Sequence, residues 1–432
     1  MAVSAHNSER IVVLGLGYVG LPIAVALARH YSDVIGFDIS ARRVETLSAG
    51  HDWTDEIEDA ELAASALRFS ADPDALADAS VIIVTVPTPI DDMRRPDLSP
   101  MESACRMIGK RLQPKTIIIF ESTVYPGVTE DYCAPILEQE SGLKAGQDFF
   151  LAYSPERINP GDKVRRLETI TKIISADCPE SLDRVRALYS TIIEAGLHEA
   201  PTIRVAEAAK VIENAQRDIN IAFMNEITQI FARDGISVWD VLDAARTKWN
   251  FLPFSPGLVG GHCIGVDPYY LSYMGQMLGH DPQVILAGRF INDDMGRWVG
   301  DHLHDCLDTR KSRILILGLT FKENVPDLRN SKVADVVNRL RWLGHDVIVH
   351  DPHADAEQAH EEYGISLDPA ALDGQYDAIV GAVAHDLYGN IDQARLEALI
   401  GPNGLVFDLK RIWPSFASGE SVLGGARRYR GI

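Results

Sequence analysis

Residues 11–20 constrain this chain more than any others. The apolar run Ile11–Leu14 leads straight into Gly15-Leu-Gly17-Tyr18-Val19-Gly20, and a helical stretch, Leu21–Arg29, follows without a break. Few structures need a strand, three spaced glycines and a helix in that order. Gly15 permits a tight turn, Gly17 lets the backbone come close to a pyrophosphate, and Gly20 lets the helix pack on its sheet. The helix N-terminus then offers unpaired N–H groups and the positive end of its dipole to an anion. Asp38 closes the next apolar run, 18 residues after Gly20. There it would accept hydrogen bonds from an adenosine ribose and repel a 2′-phosphate, so the expected cofactor is NAD. Arg43 could reach the adenine ribose or a phosphate and softens that preference. A glycine-rich turn that binds nothing is the bland alternative.

Ile11–Ala28 is also uncharged and ends in Ala-Leu-Ala, imitating the core and cleavage site of a secretory leader. Only Glu9-Arg10 precedes it, and three glycines and Pro22 interrupt it, which favours the strand–turn–helix reading. No other segment approaches the ~18 apolar residues that span a bilayer. The expectation is a soluble, cytoplasmic protein with no membrane partner. Its 432 residues suggest two or three domains. A net charge of −21 repels phosphodiester backbones, so nucleic acid is not an expected partner, and an anionic ligand needs a locally basic site. Five scattered cysteines, Cys105, Cys133, Cys178, Cys263 and Cys306, lack CxxC spacing and read as reduced thiols.

Strand-like runs at Val34–Phe37, Val81–Val86, Thr116–Phe120 and Phe149–Ala152 alternate with helical segments at Ser40–Ala49, Met101–Leu112 and Thr129–Ser141. That alternation builds a parallel sheet covered on both faces. From Arg204 to about Arg233 there is neither Gly nor Pro, and apolar residues recur at helical spacing, which predicts one long helix joining two lobes. Arg313–Gly318, Val333–Leu343 and Asp346–His350 open a second α/β lobe, and Arg313–Gly318 has the shape of Arg10–Gly15. The expected fold is α/β, with two Rossmann-like, doubly wound lobes joined by a long central helix. Its regions are 1–203, the dinucleotide lobe; 204–300, the long helix with the Gly/Pro-rich loop; and 301–432, the second lobe. The tail after about residue 414 is rich in Gly, Ser and Arg and is expected to be disordered.

Within the Gly/Pro-rich stretch Pro253–Pro268, Cys263 follows the pair Gly260-Gly261 and His262. Most free cysteines are small buried hydrophobes. A cysteine beside glycines is nevertheless open to close approach by a substrate. His262, Cys263 and Asp267 lack metal-ligand spacing, so no metal is expected. On the long helix, Lys210 and Asn214 are i,i+4 and share a face; a solvated pair is the plain alternative.

These motifs together resemble the UDP-glucose/GDP-mannose dehydrogenase family, and within it the branch acting on UDP-N-acetylhexosamines. The resemblance covers nearly all of residues 8–415. It rests on Gly15–Gly20, Val86-Pro87-Thr88-Pro89, Glu121-Ser122-Thr123, Ser154-Pro-Glu156-Arg157, Lys210 with Asn214, Gly260-Gly-His-Cys263, Gly318-Leu-Thr-Phe-Lys322, and Asp327-Leu-Arg329. It implies oxidation of a sugar C6 alcohol to a carboxylate through two NAD-dependent hydride transfers, with Cys263 capturing the aldehyde as a thiohemiacetal and then a thioester. By the same resemblance Lys210 and Asn214 stabilise charge at the C6 oxygen. Asp267 takes part in proton transfer, Thr123 holds a water, and Glu156 serves the hydrolytic step.

The implied cofactor set is Gly15, Gly17, Tyr18, Val19, Gly20, Asp38, Arg43, Pro87, Thr88, Ser122, Thr123 and Arg329. The implied UDP-sugar set is Arg157, Lys210, Asn214, Gly260, Arg289 and Lys322, with Arg289 reaching across a dimer interface. Ion pairs with Asp327 or Glu323 are the plain alternatives for Lys322 and Arg329. UDP-glucose enzymes usually carry Phe-Pro-Lys-Asp after the cysteine, where this chain has Ile264-Gly-Val-Asp267, and the run from Thr247 is nearest to enzymes of UDP-GlcNAc or UDP-GalNAc. The family further implies a homodimer or higher homo-oligomer supplying precursors of a surface polysaccharide. The competing readings are a dehydrogenase for UDP-N-acetylmannosamine or UDP-glucose, a β-hydroxyacid dehydrogenase that stops after one hydride, and a non-catalytic NAD or nucleotide-sugar sensor.

Overall fold

The computed structural model describes residues 9–54, 56–158, 166–261, 264–417, 423–424 and 426–432. Two compact units emerge, one running to Glu213 and including Tyr269–His280, the other formed by Asn214–Pro268 and Asp281–Ile432.

The first unit is built on eight strands: β1 (Arg10–Leu14), β2 (Asp33–Phe37), β3 (Arg68–Ser70), β4 (Val81–Val84), β5 (Ile117–Phe120), β6 (Phe150–Tyr153), β7 (Lys172–Ala176) and β8 (Leu197–Glu199). Their order is β3-β2-β1-β4-β5-β6-β7-β8. All neighbouring pairs are parallel except β6 and β7. The central strands read Ile-Val-Val-Leu, Val-Ile-Ile-Val and Ile-Ile-Ile-Phe because both faces are covered and neither needs polar residues. Alternation divides them between two cores. Ile11, Val13, Ile83 and Ile119 pack with Leu21, Ile23 and Leu27 of the helix Gly20–Ala28. Val12, Leu14, Ile82, Val84 and Ile118 pack with Met101, Cys105 and Ile108 of the helix Ser99–Gly109.

The second unit carries β9 (Arg313–Leu317), β10 (Asp346–His350), β11 (Tyr376–Gly381), β12 (Ile400–Asp408) and β13 (Arg428–Gly431), all parallel, in the order β10-β9-β11-β12-β13. This is a doubly wound order too. The long helix spans Ile203–Asp234. Three details differ from the sequence reading. Arg428–Gly431 of the tail is a strand on β12, anchored by Tyr429 donating to Asp408 at 2.8 Å, so the tail is not disordered throughout. Thr129–Ser141 is not one regular helix. A π-helical turn, Val128–Cys133, precedes the helix Ala134–Ser141, which has Pro135 in its first turn. Buried Glu207 of the long helix accepts the N–H groups of Gly127 and Thr129 at the start of that turn. Finally, β3, β7 and β8 escape a search for apolar runs because they are short or open with charged residues.

The weak sequence repeat between the lobes is a repeated piece of geometry. Gly15 and Gly318 have φ of +96° and +97°, and each donates its N–H to the last residue of the next strand, Phe37 or His350, at 2.8 Å. A Cβ on Gly15 would sit 2.9 Å from the Thr85 carbonyl, and one on Gly318 would run into Val383. The residue after each glycine donates to an aspartate just past that next strand: Leu16 to Asp38 at 2.9 Å, Leu319 to Asp351 at 2.6 Å. Asp351 also accepts from Thr320 at 2.9 Å and faces buried His385 at 3.1 Å.

Burial alone would raise the Asp351 carboxyl, but His385 and these N–H donors outweigh it and hold it well below the usual carboxylate range. A depressed carboxylate stabilises the fold above its unfolded value, near about 3.9, and that contribution is lost as pH falls through the lower folded value. Asp351→Asn should therefore cost about 2–4 kcal/mol in chemical unfolding at pH 7. The gap to the wild-type protein should narrow as the pH is taken below about 4. A constant gap across that range would count against an ionised Asp351 stabilised by these donors.

Candidate active site

Ligands of open α/β sheets lie beyond the carboxyl ends of the strands, where the strand order reverses. In the first unit that point lies between β1 and β4. The loops at this edge carry Gly15, Gly17, Tyr18, Val19 and Gly20 after β1, Asp38 after β2, Pro87 and Thr88 after β4, Ser122 and Thr123 after β5, and Glu156 with Arg157 after β6. Ten of the expected cofactor residues and two of the expected chemical groups thus share one edge.

The turn is held from below. Thr85 Oγ1 donates to the Gly15 carbonyl at 2.7 Å, and a Cβ on Gly20 would collide with that same carbonyl. A Cβ on Gly17 would meet nothing within 4 Å. The helix Gly20–Ala28 has no side chain capping its first turn, which leaves its N–H groups for an anion. Asp38 accepts from Leu16 and, at 2.8 Å, from Ser40, and lies half-buried. This set fits a dinucleotide: an open glycine loop, an uncapped helix end and an oriented carboxylate. Ser122 Oγ ties the neighbouring loops by donating to the Val86 carbonyl at 2.7 Å.

Arg43 sits differently from the expectation. Its guanidinium is buried, with Nε donating to the Leu16 carbonyl at 2.8 Å and Nη2 lying 2.7 Å from Asp52, over the Trp53 ring. It braces the glycine loop from behind instead of standing free beside a ribose. Arg157 pairs with Glu213 at 2.8 Å and donates to the Thr171 carbonyl at 2.7 Å. A buried group, Glu121, Lys172 and Tyr189, lies under this edge; sequence reasoning quoted Glu121 only as part of a motif and missed the other two. Its signals were a charge directly after Ile-Ile-Ile-Phe and a lysine opening Lys-Ile-Ile.

Lys210 and Asn214 are both buried on the long helix, 8% and 6% exposed, so the solvated alternative does not hold. In the second unit Asn214 Nδ2 donates to Asp267 Oδ2 at 2.5 Å, and Arg217 donates to Asn214 Oδ1 at 3.3 Å. Asp267 is 3% exposed and begins the helix Asp267–Met277. His262 and Cys263 lie outside the described residues, so the expectation for Cys263 is not addressed by this geometry. The loop leading to them is closely packed. A Cβ on Gly260 would sit 2.7 Å from the Asn330 carbonyl, and one on Gly261 (φ +82°) would sit 2.8 Å from the Phe321 ring. The glycines are required by protein packing as well as by any substrate. Gly261 also donates to the Arg329 carbonyl at 3.2 Å.

Farther back, buried Asn225 of the long helix grips Gly257 twice, accepting its N–H at 2.8 Å and donating to its carbonyl at 3.0 Å. Asn225 also donates to Asn292, and Asn292 donates to Asp218. Arg289 belongs to this network. It is 1% exposed and pairs with Asp218 and Asp293, which corrects the expectation of a cation reaching toward a second copy. Burial raises the Asp218 carboxyl despite the pull of Arg289. Arg329 makes the plain ion pair, its Nη2 2.6 Å from Asp327 Oδ2, and Lys322 is half-buried in the same loop. Asn225→Ala should strand two buried backbone groups of Gly257. The expected loss is about 2–3 kcal/mol in chemical unfolding. NAD affinity, measured by fluorescence titration, should stay at the wild-type value, because the cofactor loops belong to the first unit.

Three parts of the chain match models of the UDP-glucose/GDP-mannose dehydrogenase family: its NAD binding domain at residues 9–193, its central domain at 204–294 and its UDP binding domain at 315–415. The chain is 50% identical over 407 residues to a UDP-N-acetyl-D-glucosamine 6-dehydrogenase of Pseudomonas aeruginosa, covering 93% of this chain and 96% of that one. It is 45% identical over 415 residues to an enzyme of the same name from Salmonella typhi, covering 95% and 97%. Among solved structures it resembles a UDP-D-ManNAc dehydrogenase from Pyrococcus horikoshii, with a TM-score of 0.86, 29% identity and coverage of 98% and 99%. Matched along nearly its whole length, the chain belongs to the UDP-glucose/GDP-mannose dehydrogenase family, a family of NAD-dependent oxidoreductases.

Proposed function

We propose that the chain is an NAD-dependent UDP-N-acetylglucosamine 6-dehydrogenase that makes a uronic acid precursor of a surface polysaccharide in the cytoplasm. The observation that carries this reading is the burial of Lys210, Asn214 and Asp267. A lysine, an amide and a carboxylate sequestered on successive turns and at an adjoining helix start have a chemical use and little structural one. Relatives at 45–50% identity that bear this activity's name support the choice of sugar. In this reading residues 1–203 hold NAD, 204–300 supply the central helix and cysteine loop, and 301–432 take the UDP.

NAD at the Gly15–Gly20 turn supplies the hydride acceptor for both oxidations. Lys210 and Asn214 donate to the C6 oxygen as negative charge gathers there. Asp267, with Lys210 and a water held by Thr123, receives the alcohol proton. The Cys263 thiol adds to the aldehyde carbon, its proton passing to the carbonyl oxygen, and gives a thiohemiacetal. Loss of the second hydride and the hydroxyl proton leaves a thioester. Water directed by Glu156 attacks that carbon, the C–S bond breaks, and the thiol is restored. One alcohol and one water thereby give one carboxylate, two hydrides and three protons. Arg157 and Gly260 border the sugar, Lys322 holds the diphosphate, and Arg329 serves the cofactor. The working form is a homodimer or larger. Val205, Ile212, Phe223 and Ile230 stand 45–57% exposed along the long helix at spacings that return to one face, an apolar stripe that a second copy would cover.

Purified protein with excess NAD should form two NADH per UDP-GlcNAc consumed, with UDP-GalNAc, UDP-ManNAc and UDP-glucose poorer substrates. One NADH per sugar would replace this reading with simple alcohol oxidation. Cys263→Ala should lose acid formation by at least about a thousandfold. Its UDP binding, followed by calorimetry, should survive. Wild-type acid formation by that variant would end the thioester route.

A further inference from the structure

Residues following parallel strands collect at one edge of a sheet, and a strand running the other way brings its first residue to that edge. β7 does this against β6. Its register, Ala152 opposite Ala176 and Tyr153 opposite Ser175, carries Lys172 beyond the end of β6. Lys172 arrives between Glu121, which follows β5, and Glu156, which follows β6. Its ammonium lies 2.7 Å from Glu121 Oε2, 3.5 Å from the Pro155 carbonyl and 4.0 Å from Glu156 Oε2. The helix Pro179–Tyr189 adds Tyr189, whose hydroxyl donates to Glu121 Oε1 and whose ring centre lies 5.0 Å from the ammonium.

The two carboxyls are partnered unequally. Glu121 has a donor on each oxygen. Glu156 Oε1 accepts the backbone N–H groups of Arg157 and Ile158, but its buried Oε2 receives no hydrogen bond from any described residue. Arg157, the neighbouring cation, is turned to Glu213 on the long helix. One ammonium therefore serves two buried carboxyls, and an uncompensated buried charge is costly. Burial raises the Glu121 carboxyl most; Lys172 pulls it back and the Glu156 charge adds to the rise.

We propose that Lys172 is a positioning residue for Glu156. Shared between Glu121 and Glu156, its ammonium orients Glu156 Oε2 and sets the charge with which that oxygen works, while Glu121 competes for it. This rests on the dehydrogenase reading, in which Glu156 serves thioester hydrolysis.

The test is the pH profile of acid formation in Lys172→Met, Lys172→Arg and Glu121→Gln. Without the ammonium, protonation of the remaining carboxyls is easier, so the acid limb of Lys172→Met should move to higher pH by about one unit or more. Glu121→Gln leaves the ammonium to Glu156 alone, and its acid limb should move the opposite way. Lys172→Arg should return the limb toward the wild-type position. A role confined to holding the fold would lower stability without moving the two limbs in opposite directions. Wild-type limbs in both folded variants, or limbs moving together, would overturn the proposal. If Lys172→Met does not fold, Glu121→Gln decides by itself. Infrared titration of the ligand-free protein, with the Glu156 carboxyl band assigned by its loss in Glu156→Gln, reads the same shifts without turnover. A chain that oxidises no UDP-sugar would thus remove the dehydrogenase reading and leave the infrared shifts to decide this one.

Discussion

A single backbone device organises both lobes: a glycine with positive φ ends the first strand, and an aspartate past the second strand accepts the next N–H. In the first unit these are Gly15, Leu16 and Asp38; in the second, Gly318, Leu319 and Asp351. A chain leaving a parallel strand and turning into a loop has N–H groups with no sheet partner, and leaving one buried costs roughly 1–3 kcal/mol. The aspartate removes that cost and fixes where the loop goes. It ties the loop of one strand to the end of its neighbour, so the carboxyl edge becomes a single rigid surface. The residues around each copy then diverge. Asp38 is half-buried and keeps capacity for a ligand, whereas Asp351 is closed off by His385 and Thr320.

What the sequence disclosed follows from this device. A strand, three glycines and a later acid are contiguous features, so the cofactor loop could be read directly, as could the 32-residue helix from its lack of Gly and Pro. The weak repeat at Arg313–Gly318 was visible as well, although its aspartate was not singled out. Lys210 and Asn214 could be placed on one face but not buried, because helical spacing reports direction and not what covers it. Side-chain partners were the least legible. Nothing in the string shows that Arg43 faces Asp52, that Arg289 faces Asp218, or that Asn225 grips Gly257, since each pair is set by packing between distant segments. The strand at Arg428–Gly431 was hidden for a related reason. Arg-Tyr-Arg-Gly has no apolar run, and its pairing with β12 supplies what its composition lacks.

Reversal of β7 has consequences that composition could not announce. A wholly parallel sheet gathers only loop residues at its working edge. One antiparallel strand places the start of a strand there, and a strand start is backed by ladder hydrogen bonds on the sheet side. Lys172 is therefore held by a rigid element, whereas Arg157, on a loop four residues past the end of β6, pairs with Glu213. The sheet thus separates a strand-held cation from a loop-held one within the same corner.

Net charge completes the picture. A chain at −21 that must hold a dinucleotide and a nucleotide sugar would be expected to collect bare cations. Instead its candidate arginines come with carboxylates: Arg43 with Asp52, Arg157 with Glu213, Arg289 with Asp218 and Asp293, Arg329 with Asp327. Two of these, Arg43 and Arg289, are buried and brace loops. The other two are partly exposed; solvent screens the Arg157–Glu213 pair and makes such pairs weak, about 0–1 kcal/mol, whereas the Asp327 partner of Arg329 is itself buried. Cations in this chain are accordingly set among carboxylates, and each of these four arginines carries a fixed acidic partner.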